Sequence, residues 1–122
     1  MSSFDQEGRE HDERPWGSYT VLDDKASNYK VKLIVVAPGR RLSYQTHAQR
    51  SEHWFIVSGV ATAILDGVTH ELAPGQSMDI GIGQAHRCEN HGSAPVEFIE
   101  VQTGTYFGED DIVRLEDDYG RN

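Results

Sequence analysis

Apolar residues in this chain form short runs between glycine, proline and aspartate, and hardly any follow the period of a helix. Residues 29–36 alternate between polar and apolar side chains, become wholly apolar, and stop at Pro38-Gly39, as a strand and its turn do. By the same criteria, further strands are predicted over residues 54–57, 61–65, 68–72, 77–80, 86–90 and 96–103. Many short strands joined by such turns predict an all-β protein, either a β-sandwich or a small barrel.

Three local patterns complete this picture. Asp66-Gly67 separates two of the predicted strands, which is a strong signal for a tight hairpin. Residues 109–116 begin with acidic side chains that would suit the start of a helix, so they could form one short helix. Residues 1–13 are polar and charged and predict a flexible tail before a single domain over residues 14–122.

Composition narrows the classes of partner. The 122-residue chain has a net charge of -9, which argues against nucleic acid and anionic membranes. No apolar run approaches the roughly 20 residues that span a bilayer, and the N-terminal residues lack the apolar segment of a signal peptide. Cys88 is the only cysteine, so no intrachain disulfide can form. We therefore expect a cytoplasmic protein with a small-molecule ligand.

Four residues are candidate metal ligands. Gln45 and His47 are two positions apart and would share one face of a strand, while Glu52 opens the next apolar run and His86 a later one. An amide oxygen, two imidazoles and a carboxylate suit a divalent metal. Two alternatives stay open at this point: Gln45 as a hydrogen-bonding core amide, and Glu52 as the surface partner of Arg50.

Strand parity separates the two faces of the run that follows Glu52. Glu52 shares its parity with Trp54 and Ile56, which indicates that this face points inward. The opposite face carries His53, Phe55 and Val57. An apolar outer face is explained either by the ordinary core of a sandwich or by a contact with a second copy of the chain. We expect a homodimer, because oligomers commonly cover exposed sheet edges and apolar outer faces.

The spacing of these residues resembles the two motifs of the cupin superfamily, whose fold is a double-stranded β-helix of the jelly-roll type. The first motif is matched by Gly39, Gln45, His47, Glu52 and Gly59, with glutamine in place of the first histidine. The second is matched by Gly75, Gly81, Gly83, His86 and Asn90, with Gly81 in place of a proline. Fifteen residues, 60–74, separate the motifs, a usual separation in that superfamily.

Longer stretches are similar to the type II mannose-6-phosphate isomerase family. They are residues 14–19, 42–45, 50–54, 100–104, 108–114 and 117–121. In that family the cupin domain is commonly the C-terminal part of a chain that also has a mannose-1-phosphate guanylyltransferase domain. The resemblance implies a metal-dependent interconversion of mannose 6-phosphate and fructose 6-phosphate. It also implies zinc as the metal, with manganese, cobalt and nickel as alternatives, held by the four candidate ligands.

Roles for the remaining residues follow from that reaction. The proton shuttle between C1 and C2 needs a base, and the substrate phosphate needs cations. The candidate catalytic residues are His53, Glu100 and Arg50, and the candidate substrate-binding residues are Arg50, Arg41, Gln102 and Lys32. His53 qualifies only if a bend at the start of its strand turns it inward. Lys30, Arg87 and Arg114 are further cations that could reach a phosphate.

Two other classes of function compete with the isomerase. A non-catalytic cupin would bind a sugar phosphate or a related metabolite, and it could be the partner of a separate nucleotidyltransferase. A metal-dependent oxygenase would offer iron two histidines and a carboxylate, and Gln45 argues mildly against that class. An assay of the metal-loaded chain with mannose 6-phosphate discriminates among these readings.

Overall fold

The computed structural model describes residues 3–120, which form two antiparallel sheets and no helix. In chain order the strands are β1 (Ser3–Phe4), β2 (Glu10–Arg14), β3 (Gly17–Asp23), β4 (Tyr29–Val36), β5 (Tyr44–Thr46), β6 (Arg50–Ser58), β7 (Ala61–Leu65), β8 (Val68–Leu72), β9 (Ser77–Ile80), β10 (His86–Glu89), β11 (Val96–Gly104) and β12 (Val113–Glu116). The larger sheet has the order β1-β2-β3-β4-β11-β6-β9 and the smaller has β12-β5-β10-β7-β8. The predicted all-β fold is confirmed, and no helix in the described part of the chain could cross a membrane.

The strands predicted from turn punctuation agree with those observed. β4, β7, β8 and β9 have the predicted bounds, whereas β6 begins at Arg50 and is longer than the predicted 54–57. The hairpin prediction is also confirmed, because Leu65 pairs with Val68 across the turn. Asp66 and Gly67 both have positive φ, 48° and 81°, as the tight turns that suit the strand twist require.

The short helix predicted over residues 109–116 is wrong. Its second half is the strand β12, in which Val113 pairs with Thr46 of β5. The acidic residues before it contact other parts of the chain: the Asp111 carboxylate accepts hydrogen bonds from the backbone N–H groups of Ala48 and Gln49. These long-range contacts hold the segment extended, and they outweigh the local preference for a helix start.

The N-terminal segment also differs from its prediction. Residues 3–13 include β1 and most of β2, and His11 of β2 pairs with Thr20 of β3. The segment therefore adds a hairpin to one edge of the larger sheet. Strand pairing of this kind depends on a partner distant in the sequence, so the polar composition that predicted a tail does not reveal it.

The interior of the protein is layered along the strand direction. At one end, Ile34 of β4, Phe98 of β11 and Ile56 of β6 lie in register across three neighbouring strands and are buried. Two residues further along, the register aligns Lys32, Glu100 and Trp54, and then Gln102 with Glu52. Because side chains alternate between faces, this polar layer points inward next to the apolar one.

Candidate metal centre and cavity

The polar layer brings three of the predicted ligands together. Glu52 comes from β6 in the larger sheet, His86 from β10 in the smaller one, and His47 follows β5 directly. One ligand atom from each of these residues lies within 4.8 Å of the other two, and all three side chains are buried. Sheet closure thus produces the cluster that the motif spacing predicted.

Backbone carbonyls orient both histidines. His47 Nδ1 lies 2.6 Å from the carbonyl oxygen of Asp111, and His86 Nδ1 lies 2.9 Å from that of Gln84. A carbonyl only accepts, so each Nδ1 carries the proton, and in the neutral ring Nε2 keeps its lone pair. Metal-binding histidines are generally fixed in this way. The donor set and its orientation fit a divalent metal.

Glu52 is the anion of this cluster. Its Oε2 is 3.2 Å from His47 Nε2, its Oε1 is 3.7 Å from His86 Nε2, and Trp54 Nε1 donates to Oε1 at 2.9 Å. Burial alone would raise the pKa of Glu52, but the close contact with His47 and the charges of His86 and Arg50 hold the pKa well below its usual value. The carboxylate is therefore ionised, as a ligand must be.

Gln45 lies beside the cluster, and its strand pairs it directly with His86. Its Nε2 donates to the backbone oxygen and to Oγ of Ser43, at 3.2 and 2.9 Å. The amide oxygen is the atom that could bind a metal, and the side chain lines the adjacent cavity. Ligation by Gln45 stays a prediction.

A cavity of about 80 Å³ adjoins the cluster. Its ionisable lining residues, apart from His86 and Cys88, are the cations Arg14, Lys32, Arg50, Arg87 and Arg114, the carboxylates Glu52, Glu100 and Glu109, and Tyr19. Arg50 Nη1 and Arg87 Nη2 are buried and have no hydrogen-bond partner among the described residues. Buried donors of this kind are costly unless something accepts from them, so the cavity suits an anion, although the chain as a whole is acidic.

Three further predicted residues lie at this cavity or next to it: Lys32 and Glu100 line it, and Gln102 contacts Glu100. Lys32 forms an ion pair with Glu109 at 2.6 Å and lies over the ring of Tyr19. Gln102 is fully buried and donates through Nε2 to Glu100 Oε2 at 2.8 Å. Burial, followed by the charge of Glu52, raises the pKa of Glu100 to about 8. The pKa of Glu100 is therefore much closer to neutral pH than that of an ordinary carboxyl group, which suits a group that gains and loses a proton.

Two predicted site residues lie elsewhere, and these assignments are corrected. His53 is on the outer face of β6, where Nδ1 contacts Asp79 Oδ1 at 2.6 Å, since strand parity turns it away from Glu52 and no bend reverses it. Arg41 forms a two-pronged contact with Asp118 and a third with Glu89. Neither residue lines the cavity of the metal cluster.

Sequence reasoning missed several residues of the cavity wall. Arg14, Trp16 and Tyr19 line it from the end of β2 and the start of β3, and Glu109 reaches it from the loop before β12. The only signal in the sequence was that residues 14–19 and 108–114 are among the stretches similar to the isomerase family. Their closeness to the ligands depends on sheet order, which local patterns do not encode.

Comparison with known proteins agrees with this site. The profile of the family described as "Mannose-6-phosphate isomerase C-terminal" matches residues 4–117. The chain is 53% identical over 108 residues to the alginate biosynthesis protein AlgA of Pseudomonas aeruginosa, covering 88% of this chain and 22% of that protein. It is 45% identical over 108 residues to the mannose-1-phosphate guanylyltransferase ManC of Salmonella typhimurium, with the same coverage of 88% and 22%. This chain thus spans about a fifth of the length of such relatives.

A solved structure supports the fold. The crystal structure of a sugar phosphate isomerase from a cupin superfamily, from Silicibacter pomeroyi, superposes with a TM-score of 0.72 at 19% identity and covers 97% of this chain and 94% of that one. At this identity the likeness concerns the fold alone, and it confirms the predicted cupin architecture. The profile match over residues 4–117 shows that the chain belongs to the mannose-6-phosphate isomerase C-terminal family.

Proposed function

We propose that this protein is a metal-dependent sugar-phosphate isomerase that interconverts mannose 6-phosphate and fructose 6-phosphate. The observation that carries the proposal is the His47–Glu52–His86 cluster beside a cation-rich cavity. The reaction needs stabilisation of negative charge at C1 and C2, which a metal in the cluster would provide. It also needs a binding site for the phosphate at the other end of the sugar, which the cations of the cavity would provide. Family membership supports the same reaction.

The metal would be held by His47, Glu52 and His86, with Gln45 as the fourth candidate. Two imidazoles and a carboxylate are a ligand set that zinc accepts, and manganese, cobalt and nickel are alternatives. When bound, such a metal supplies Lewis-acid stabilisation of the negative charge that develops on the sugar oxygens. The surrounding protein excludes bulk water from this point, because the three side chains are buried.

The phosphate would be held by arginines of the cavity. Arg87 is 3% exposed and its Nη2 has no hydrogen-bond partner in the described chain, so an oxyanion would satisfy a donor that is otherwise unpaired. Guanidinium groups contact phosphate through two parallel N–H groups. Lys32 adds a second cation on the opposite sheet, where Glu109 now balances its charge. Both sheets therefore contribute to anion binding in this proposal.

Glu100 is the candidate for proton transfer. It is buried, lines the cavity and lies next to Glu52 in the inward-facing layer. In isomerisation of the open-chain aldose, a base takes the proton from C2, and the C–H electrons form a C1=C2 double bond while the C1 carbonyl oxygen takes the negative charge of a cis-enediolate. The proton then returns to C1, and the proton of the C2 hydroxyl passes to O1 as the C2 carbonyl forms. Gln102 holds Glu100 through the bond from Nε2, which fixes the direction of the carboxyl group. His53, on the outer face, has no role in this proposal.

The test is an isomerase assay of the purified chain loaded in turn with zinc, manganese, cobalt and nickel. Conversion of mannose 6-phosphate to fructose 6-phosphate is expected with at least one metal, and Glu100→Gln is expected to abolish turnover while metal content stays unchanged. His53→Gln is the matched control and should keep full activity. Saturable binding of hexose 6-phosphates without conversion would favour the non-catalytic binding protein, and the absence of both would overturn the proposal.

The longer relatives of this chain suggest a protein partner. Because this chain spans only about a fifth of the length of proteins such as ManC, we propose that its activity is coupled in the cell to a mannose-1-phosphate guanylyltransferase, either a covalently joined domain or a separate chain. The homodimer and the cytoplasmic location predicted from the sequence also stay proposals. Co-purification of the tagged chain with a guanylyltransferase would support the proposed coupling to that enzyme.

A further inference from the structure

Arg50 contacts the same atoms that would hold the metal. Its Nε donates to Glu52 Oε2 at 3.1 Å, and its Nη2 lies 3.3 Å from His47 Nε2. The third nitrogen, Nη1, is buried and has no hydrogen-bond partner among the described residues. The guanidinium therefore lies between the ligand cluster on one side and the cavity, which it also lines, on the other.

The contact with His47 excludes metal ligation by the same nitrogen atom. His47 Nδ1 donates to the Asp111 carbonyl, so in the neutral ring Nε2 has a single lone pair. That lone pair accepts from Arg50 or binds a metal ion, but not both. A guanidinium keeps its charge at all relevant pH values and would repel a second cation placed next to it. Metal binding therefore requires the Arg50 guanidinium to turn away from His47 Nε2.

The cavity is the space into which the Arg50 side chain could move. Its long side chain begins at the first residue of β6, and the cavity is the polar space beside it, with Lys32 and Arg87 on the walls. Of the carboxylates on those walls, Glu109 already pairs with Lys32, and burial raises the pKa of Glu100 to about 8. A further guanidinium in the cavity therefore needs another anion to accept its N–H groups. An oxyanion in the cavity would satisfy the released donors and offset the accumulated positive charge.

We propose that Arg50 couples the two halves of the site, so that a divalent metal and an oxyanion bind cooperatively. Metal binding frees the guanidinium for the anion, and anion binding removes the guanidinium from the metal ligands. Coupling between two ligands is reciprocal: each raises the affinity for the other by the same factor. Arg50 thus acts as a positioning residue whose partner changes with ligation. The inference rests on the proposed metal and anion sites but not on isomerase turnover.

The experiment measures zinc affinity by chelator competition with and without sulfate, a tetrahedral oxyanion that keeps zinc in solution, at constant ionic strength set with chloride. In the wild type, saturating sulfate should tighten zinc binding by roughly 5-fold or more, the lower end of typical couplings. Zinc should tighten sulfate binding by the same factor. Because this measurement uses the unaltered chain, it tests the proposal even if a variant fails to fold.

Two variants separate Arg50 from simple attraction between metal and anion. Arg50→Met should bind zinc more tightly than the wild type without sulfate, and its affinity should no longer respond to sulfate. Arg87→Met is the matched control: it also removes a buried cavity arginine, but its contacts are with Leu42, Glu116 and Glu89. It should bind sulfate more weakly and keep the coupling factor.

The outcomes are distinguishable. Zinc binding without any effect of sulfate in the wild type, or coupling that persists in Arg50→Met, would overturn the role of Arg50 and leave the proposed isomerase intact. Coupling that vanishes only in Arg50→Met, in a chain that converts no sugar phosphate, would support Arg50 and reject the isomerase. A wild type that binds no divalent metal would overturn both.

Discussion

The two faces of β6 differ in a way that reverses the usual distribution of charge and apolar surface. On the inner face, Glu52 is 4% and Arg50 6% exposed. On the outer face, Phe55 is 44% and Val57 48% exposed. One strand therefore places two ionised groups in the interior, beside the buried Trp54 and Ile56, and leaves two large apolar groups on its other face about half exposed.

This reversal indicates where function overrides stability. Burying a charge costs free energy unless it is paired and hydrogen-bonded, and the inner face meets that cost with a network that joins Arg50, Glu52 and His47. Simple packing would favour hydrocarbon at these positions. The outer face has no such network: His53 contacts Asp79 and Ser51 contacts Thr103, both at exposed positions, and exposed polar contacts contribute little.

The largest effect should follow from breaking the inner network. Glu52→Ala removes a metal ligand and leaves Arg50 as a buried charge without its carboxylate. Zinc content should fall to background, and kcat should fall by roughly 10³-fold, because Lewis-acid stabilisation contributes several kcal/mol. Elemental analysis and the isomerase assay measure the two quantities. Wild-type zinc content in the folded variant would contradict the assignment of the metal centre.

A second substitution compares the apolar residues of the two faces. Phe98 is fully buried and its ring lies 4.6 Å from that of Trp54, so Phe98→Ala should lower the free energy of unfolding by about 3–5 kcal/mol. Phe55→Ala on the outer face should cost under about 1 kcal/mol. Urea denaturation gives both values. Equal losses would mean that the outer face is packed against something in solution.

A smaller effect is expected next to the inner face. Asp111 supports His47 twice, because its carbonyl accepts from Nδ1 and its carboxylate accepts from the backbone N–H groups of Ala48 and Gln49. Asp111→Ala should displace that carbonyl and weaken zinc binding by roughly 10- to 100-fold, the usual effect of losing support for a ligand. Asp110→Ala, at the neighbouring exposed position, is the control. Zinc titration of both variants provides the comparison.

The smallest change at the metal site should come from the outer face itself. If a second copy covers the apolar residues there, Phe55→Glu with Val57→Glu should convert a dimer into a monomer and leave zinc content unaltered. Light scattering at high micromolar concentration measures the mass. A wild type that is already monomeric at that concentration would reject the predicted homodimer without affecting the metal centre.

The sequence could predict what depends on neighbours along the chain. Turn residues bounded β4, β7, β8 and β9, and period-two alternation assigned Glu52 and His53 to opposite faces of β6. The motif spacing selected His47, Glu52 and His86 because the cupin fold brings those positions together. Each of these inferences uses local geometry or a resemblance that already encodes tertiary structure.

The rest depends on partners distant in the sequence. Residues 109–116 have a local helix signal, but pairing of Val113 with Thr46 made the segment a strand. Arg41 was predicted as a phosphate ligand because it is a cation, but its guanidinium contacts Asp118, which lies 77 positions later in the sequence. Arg14 reaches the cavity because of sheet order, which no local pattern reveals. Sequence reasoning thus failed where a long-range contact competed with a local preference.

The cavity and the acidity of the whole chain together affect how quickly a ligand arrives. The net charge is -9, so a phosphate ester approaching from bulk solvent meets a repulsive field until it reaches the arginines inside. Salt screens charges separated by more than about 10 Å at 0.1 M ionic strength, and it screens buried contacts much less. Moderate salt should therefore accelerate association with this protein, whereas added salt slows anions that are drawn to a basic surface.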